Sequence, residues 1–328
     1  MKIAKRALRL LVTLGAAAAA SVAGAGAGAF PEKPITMVVA YAPGGSTDQV
    51  GRLVAASMAK ELGVSVVVQN KPGANGSMGN AFVARSQADG YTVLYGNSSL
   101  LTNTLLYKSV PYQMSDFVPV AIVNEFPLVM VANPKLPAAN LREFVTYAKG
   151  QQGKLNFASA GLGNSTHLAS EKLKLSAGID MTHVPFSGSA PGVTAVMQGD
   201  VHTFFDTTVT VLPFVKGNRL KALAVASNAR LPVLPDVPTV MESGFPDFGA
   251  VTAWQGVFVP ANTPPEIVAR LRKAVNAALA DAQNRATLER QGGVLLAQDP
   301  NGQGALKYLA DETSKWSALI KALNIKLE

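Results

Sequence analysis

The residues of this chain with most to offer chemically lie in short stretches of Gly, Ser, Thr, Asn and Pro, and their chemistry is hydrogen-bond donation to an anion. The leading stretch is Tyr41-Ala42-Pro43-Gly44-Gly45-Ser46-Thr47-Asp48. It follows Ile35–Ala40, an apolar and β-branched run that reads as a buried strand. Pro43-Gly44-Gly45 stops the strand. Ser46 and Gln49 match the Ser-x-x-Gln capping box, so a helix is expected at once, and Val50, Leu53, Val54, Met58 and Leu62 continue it at helical spacing. A strand ending in a Gly-Gly turn under a helix N-terminus aims free backbone N–H groups at one point, which is an arrangement for holding an anion.

The side chains needed for catalysis are incomplete. His167, His183 and His202 have no metal-ligand spacing, H-E-x-x-H is absent, and there is no Cys. His183 falls in a strand pattern and reads as a core histidine. His167 falls in the first turn of a helix after a Gly-rich loop, where a helix-start role, a ligand contact and packing all remain open. The nucleophile elbow G-x-S-x-G is missed at its first position by Asn75-Gly76-Ser77-Met78-Gly79, and at both ends by Ser187-Gly188-Ser189-Ala190-Pro191. Gly73 to Asn80 lacks the Lys and Ser/Thr of a phosphate-binding P-loop. Gly161-Leu162-Gly163-Asn164-Ser165-Thr166 begins like a dinucleotide fingerprint but ends in Thr. The expectation is a binding protein, with no enzyme activity, cofactor or metal.

These loops need elements to position them. In the first third, strands Ile35–Ala40, Ser65–Gln69 and Tyr91–Tyr95 each lead through a small-residue loop into a helix; the third loop is Gly96-Asn97-Ser98-Ser99. After an apolar crossing near Val118 to Ala132 the pattern resumes. Leu155–Ala158 leads to the loop from Ser159 through Ser165, Thr166 and His167. Thr182–Pro185 leads to Phe186-Ser187-Gly188, Thr203–Asp206 leads to Thr207-Thr208, and Leu220–Ala226 is one more strand. Trp254–Val259 is a further strand, and Thr263-Pro264-Pro265 opens helical sequence that continues to Lys326. Strands alternating with helices predict an α/β fold with doubly wound parallel sheets, in which ligands sit beyond the carboxyl ends of the strands. The chain length favours two lobes around a cleft, with boundaries at 30–127 plus 253–328 for the first and 128–252 for the second.

Six uncharged loops at one end of successive strands point to ligand binding. Micromolar affinity needs about 8 kcal/mol, and hydrogen bonds to a charged group contribute roughly 1.5–3 kcal/mol each, so a few amides and hydroxyls suffice without an arginine clamp. Only Asp48, Lys71 and Asp206 carry charge within or beside the loops. Asp48 suits the positive end of the first helix. Asp206 either caps the helix after it or accepts an ammonium or hydroxyl from a ligand.

The N-terminus reads as an export signal. Lys2, Lys5, Arg6 and Arg9 precede a short apolar run and polyalanine, and Ala27-Gly28-Ala29 forms a cleavage site, so residues 1–29 are expected to be removed on the way to the periplasm. What remains has 25 basic and 21 acidic residues, a net of +4, with no basic stripe. That balance argues against nucleic-acid binding. A monomer is expected.

Taken together the chain resembles the Bug-type substrate-binding proteins of tripartite tricarboxylate transporters. The resemblance rests on Tyr41 to Asp48, Asn70-Lys71-Pro72-Gly73-Ala74-Asn75-Gly76, Asp89-Gly90-Tyr91-Thr92, Gly161 to Leu168, His183 to Gly188, Pro235-Asp236-Val237-Pro238-Thr239 and Trp254 to Pro265. It implies a type II periplasmic binding-protein fold, a small carboxylate ligand (dicarboxylate, tricarboxylate, aromatic or amino acid) and delivery to a two-component membrane permease. A ligand sensor signalling to a membrane receptor is the alternative. Carried over residue by residue, it places ligand contacts on Tyr41, Pro43, Gly44, Gly45, Ser46 and Asp48, with Gly76, Ser77 and Ser98. From the second lobe come Ser159, Gly161, Ser165, Thr166, His167, Phe186, Ser187 and Asp206. Family members bind carboxylates largely through main-chain groups and water. Phe186-Ser187-Gly188 stands where many of them have Tyr-Lys-Gly, so an ammonium is missing here.

Overall fold

A computed structural model describes residues 30–327. The export signal and cleavage site inferred for residues 1–29 lie outside the described residues. The compact unit that carries the fold starts at Lys33.

The first βα repeats are β1 (Ile35–Val39), α1 (Ser46–Leu62), β2 (Val66–Asn70), α2 (Ser77–Ala84), β3 (Thr92–Asn97) and α3 (Ser99–Leu106). A 16-residue strand, β4 (Phe117–Ala132), comes next. Beyond it lie α4 (Leu141–Gln151), β5 (Asn156–Ser159), α5 (Ser165–Ala177), β6 (Thr182–Pro185), α6 (Ser189–Gln198), β7 (Thr203–Thr207), α7 (Thr208–Lys216) and β8 (Lys221–Val225). The chain ends through β9 (Thr252–Pro260), α8 (Pro265–Ala280), α9 (Ala282–Arg290), β10 (Val294–Leu295) and α10 (Gln303–Leu323).

The strands run in the order β2-β1-β3-β9-β4-β7-β5-β6, with β8 and β10 also paired to β4. Within each half the βαβ repeats are parallel, as the alternation predicts: β1 with β2 and β3, and β5 with β6 and β7. The middle of the sheet departs from that expectation. β9 is antiparallel to β3 and β4, and β4 is antiparallel to β7 and β8. β9 and β4 enter the sheet between β3 and β7, beside partners far from them in sequence. β4 serves both halves. Phe117–Pro127 pairs with β9, and Leu128–Ala132 pairs with β7 and β8. Irregular register near Pro119 accommodates a residue without a ladder donor.

Burial follows from position in the sheet. β7 is buried throughout, whereas the edge strand β2 alternates and leaves Val67 exposed. Along the far half of β4, Val129 and Val131 pack into one apolar cluster, and Leu128, Met130 and Ala132 into another on the opposite face. Gly79 in α2 lets that helix lie directly on the end of β1: a Cβ there would come within 2.8 Å of both the Ala40 Cβ and the Lys71 carbonyl. That contact fixes where the chain leaves β1, and therefore where Tyr41 points.

Candidate functional site

Five helices begin on the wall of one enclosed cavity of about 20 Å³. Gly45, Ser46 and Thr47 come from the start of α1, and Asn97 and Ser98 from the start of α3. Asn164, Ser165 and Thr166 open α5, Gly188 and Ser189 open α6, and Asp206 and Thr207 precede α7. Tyr41, Ala160, Ala253 and Gln255 complete the lining. The convergence is a product of topology. Every helix that follows a strand in a doubly wound sheet starts at the same carboxyl edge, and each start carries unpaired N–H groups and a partial positive charge. The space is small, about the size of one water site.

Three hydroxyls of the wall are held as acceptors by the protein, while Ser165 and Ser189 donate to Asn164 and Asp206. Ser46 Oγ accepts from Gln255 Nε2 at 3.3 Å, Thr47 Oγ1 from Asn97 Nδ2 at 3.1 Å, and Thr166 Oγ1 from the Ala160 amide at 2.9 Å. Each of these three hydroxyls accepts one bond from the protein and keeps its own proton to give. The Asn164 side-chain oxygen caps α5 by accepting from the Thr166 amide at 3.2 Å. Gln255 is held by the Tyr95 hydroxyl at 3.1 Å.

Asp206 differs from the rest. It is fully buried, and its Oδ1 accepts from Ser189 Oγ and the Thr207 amide, both at 2.8 Å. Oδ2 has no protein partner. Burial pushes this carboxyl up to about 7, against the lowering effect of its hydrogen bonds. Among the described residues it is the only acidic side chain on the cavity wall.

A second cavity of about 320 Å³ shares Tyr41 and Ala160 with the first. Gly76, Gly161, Phe186 and Ser187 line it, beside Asn75 and Tyr107. Tyr41 stands between the two spaces. Its hydroxyl meets Ser99 Oγ, donates to Asn75 and accepts from Asn164 Nδ2 at 3.4 Å. Burial raises the phenol's pKa well above the ordinary tyrosine value, so it stays neutral.

Of the sequence-predicted site residues, the structure brings Tyr41, Gly45, Ser46, Ser98, Ser165, Thr166 and Asp206 to the inner cavity, and sets Gly76, Gly161, Phe186 and Ser187 around the outer one. The remaining sequence-predicted residues do structural work nearby and line neither cavity. Pro43 and Gly44 are exposed, with Gly44 on a separate 240 Å³ hollow. The Ser46–Gln49 capping box does not form. Gly45 is the N-cap, Asp48 Oδ2 accepts from the Gly44 amide at 2.9 Å, and Ser46 is left free to face the cavity. Asp48 is also held by Arg52 at 2.9 Å and by Asn70. Burial works against its charge, but these hydrogen bonds outweigh it and keep the carboxyl below its usual range.

Ser77 Oγ accepts from Asn103. Ser159 Oγ lies 2.6 Å from His183 Nε2. His167 is 5 % exposed, stacks on His183 with ring centres 4.0 Å apart, and accepts from the Gly163 amide through Nδ1. Packing, with a bond that holds the loop, is thus the reading of His167 that the geometry selects. Burial depresses His167 to about 3 and His183 to about 4, with neighbouring positive charge adding to each. Glu171 lies 3.7 Å from His167 Nε2, but Lys174 engages it at 3.1 Å, so burial dominates. Sequence reasoning missed Thr47, Asn97, Asn164 and Gln255 as site residues. Gln255 carried a signal, a polar residue inside the apolar run Trp254–Val259.

Two α/β lobes on a shared curled sheet, closing over a pocket of helix N-termini, define a ligand receptor of the periplasmic binding-protein class. Residues 50–325 match the tripartite tricarboxylate transporter family receptor, and the chain belongs to that family. It is similar to the solved periplasmic binding protein BugD, with 34% identity and a TM-score of 0.88 over 91% of this chain and 100% of that one. It is also similar to MatC from Rhodopseudomonas palustris with bound malate, at 34% identity and a TM-score of 0.84 over 89% of this chain and 100% of that one. An R. palustris protein solved with adipate is 30% identical, with a TM-score of 0.87 over 91% of this chain and 100% of the other. No helix among the described residues is long and apolar enough to cross a membrane.

Proposed function

We propose that this chain is an exported periplasmic receptor that captures a small carboxylate and delivers it to a tripartite tricarboxylate-type permease, without transforming it. In this reading residues 30–127 and 253–328 form one lobe, 128–252 form the other, and both close on the ligand. The observation that carries the reading is the convergence of five helix starts and three donor hydroxyls on one enclosed cavity. Four or five such donors supply the free energy of micromolar binding, and the cleft's exclusion of water strengthens each. Malate and adipate, the ligands in two related structures, are small carboxylates. The family match favours a permease over a signalling partner.

A thermal-shift screen tests the ligand class. A ligand at 100 times its Kd adds about 2.7 kcal/mol, which for roughly 300 residues raises Tm by about 4 °C. Mono-, di- and tricarboxylates should include at least one that does so. A library in which sugars or peptides shift the protein and no acid does overturns the proposal.

A further inference from the structure

We infer that the outer face of α2 and the groove beside it form a docking surface for an acidic protein segment that carries an apolar anchor. The groove measures about 960 Å³, and none of its lining residues borders either cleft cavity, so a partner held here leaves the ligand pocket free. Gly79 and Val83 occupy the inner face of α2, which leaves Met78 and Phe82 outside on the groove, 63% and 45% exposed. Spaced four residues apart, the two side chains share one helix face. Val67, Leu175, Val294 and Leu306, the other exposed large apolar side chains among the described residues, lie singly on β2, α5, β10 and α10. An apolar pair on a concave surface with a polar rim is the form of a protein interaction site.

The rim selects the sign of the partner. Lys71 Nζ lies 4.1 Å from the centre of the Phe82 ring, and Lys33 Nζ lies 4.3 Å from that of Tyr91. Arg85 Nη2 donates to the Pro111 carbonyl at 3.2 Å. These contacts hold the three cations in place without neutralising them, and none of the three is in a salt bridge among the described residues. Asp89 is the one acidic side chain lining the groove among those residues, and its Oδ1 accepts from the Tyr91 amide at 3.0 Å. Three positioned positive charges against one engaged carboxylate make this face complementary to Asp and Glu. Because the cations are already ordered, pairing with them costs less side-chain entropy. Other occupants fit less well. A second copy docked groove to groove brings like charges together. The N-terminal segment, with Lys2, Lys5, Arg6 and Arg9, has the same sign as the rim. A lipid surface meets the cations but is too flat to fill a groove.

The test is selection of phage-displayed random dodecapeptides on the purified chain, followed by fluorescence anisotropy of the enriched peptides. Enriched sequences should set Asp or Glu beside an aromatic or large aliphatic residue. Phe82→Ser and Arg85→Glu should each weaken their binding by about tenfold or more. Both side chains are exposed, so thermal unfolding should find both variants folded, and a carboxylate that stabilises the wild type should stabilise them equally. Enrichment of basic or uncharged peptides, or of none, overturns the inference and leaves the receptor reading intact. So do acidic peptides whose affinity neither substitution changes, since they bind elsewhere on the chain. Flotation with phosphatidylglycerol vesicles and sedimentation of the chain alone test the other occupants. Vesicle binding or self-association that Phe82→Ser abolishes gives this face to a membrane or a second copy and overturns the inference as well. Arg85→Glu decides the matter even if Phe82→Ser folds poorly.

Discussion

Two buried groups near the cleft titrate against each other, and separating them is a stringent test of the site's electrostatics. Asp206 is held protonated up to about 7, against an unfolded value of 3.8. Between pH 7 and pH 5 the unfolded chain keeps this group ionised while the folded one takes up a proton, so acidification stabilises the fold, by about 2 kcal/mol over that interval. His167 has the reverse sign. Its folded value is about 3 against 6.5 unfolded, so on acidification the unfolded chain takes up the proton and the folded one does not. The fold then loses about 2 kcal/mol over the same interval. His183, depressed to about 4 but less buried, adds a smaller loss of the same sign after discounting for solvent. The ligand-free wild type should therefore lose only a little stability between pH 7 and pH 5. Asp206→Asn should lose about 2 kcal/mol or somewhat more over that range, and His167→Asn, which keeps an acceptor for the Gly163 amide, should gain somewhat less than about 2 kcal/mol, because His183 still opposes it. Urea unfolding followed by the fluorescence of Trp254 and Trp316, both fully buried, supplies the measurement. The slope with pH is the readout, so a constant penalty from either substitution does not matter. Variants with slopes equal to the wild type's would refute the burial argument for both groups.

Gly79→Ala should destabilise by about 1–3 kcal/mol although alanine is the better helix former, because the new Cβ meets backbone as well as Ala40 and cannot move aside. Gly150→Ala in α4, with nothing within 4 Å of its Cβ position, should stabilise by about 0.4–1 kcal/mol; chemical denaturation of the pair checks both signs. Tyr41→Phe removes the hydroxyl shared by Ser99, Asn75 and Asn164, and should weaken carboxylate binding by about 5–30-fold in calorimetry, corresponding to one or two kcal/mol. Unchanged affinity there would mean that Tyr41 is not part of the closed pocket.

The fold was largely legible because its strands are β-branched apolar runs closed by Gly and Pro. Thr182–Pro185 agrees with its sequence assignment, and Ile35–Val39 and Thr203–Thr207 agree to within a residue. The antiparallel middle was not legible, because β4 and β9 look like any apolar strand and their direction is set by partners far away in sequence. The site divides in the same manner. Loop composition located the strand ends, but it did not tell which residue of a helix's first turn looks inward. Asp48 and Thr47 are neighbours about 100° apart on α1, and it is Thr47 that faces the cavity while Asp48 turns back to the Gly44 amide. His167 was ambiguous for a related reason. Its place after a Gly-rich loop suits a ligand contact, and only the ring of His183 stacked against it shows that the side chain is used for packing.

The same topology that collects the helix starts sets the constraint on what can fill the pocket. Five positive helix ends around one small cavity favour an anion there, and Asp206 already places one potential anion on the wall. A ligand carboxylate brought beside it makes two acids that cannot both be ionised at short range without a donor or a proton between them. An unsubstituted diacid meets that condition only by taking up a proton at Asp206, so its binding at neutral pH should carry a net proton uptake. A hydroxyl or ammonium on the ligand meets it directly and needs none, and the proton count of binding in buffers of different ionisation enthalpy therefore separates the two ways of filling the cavity.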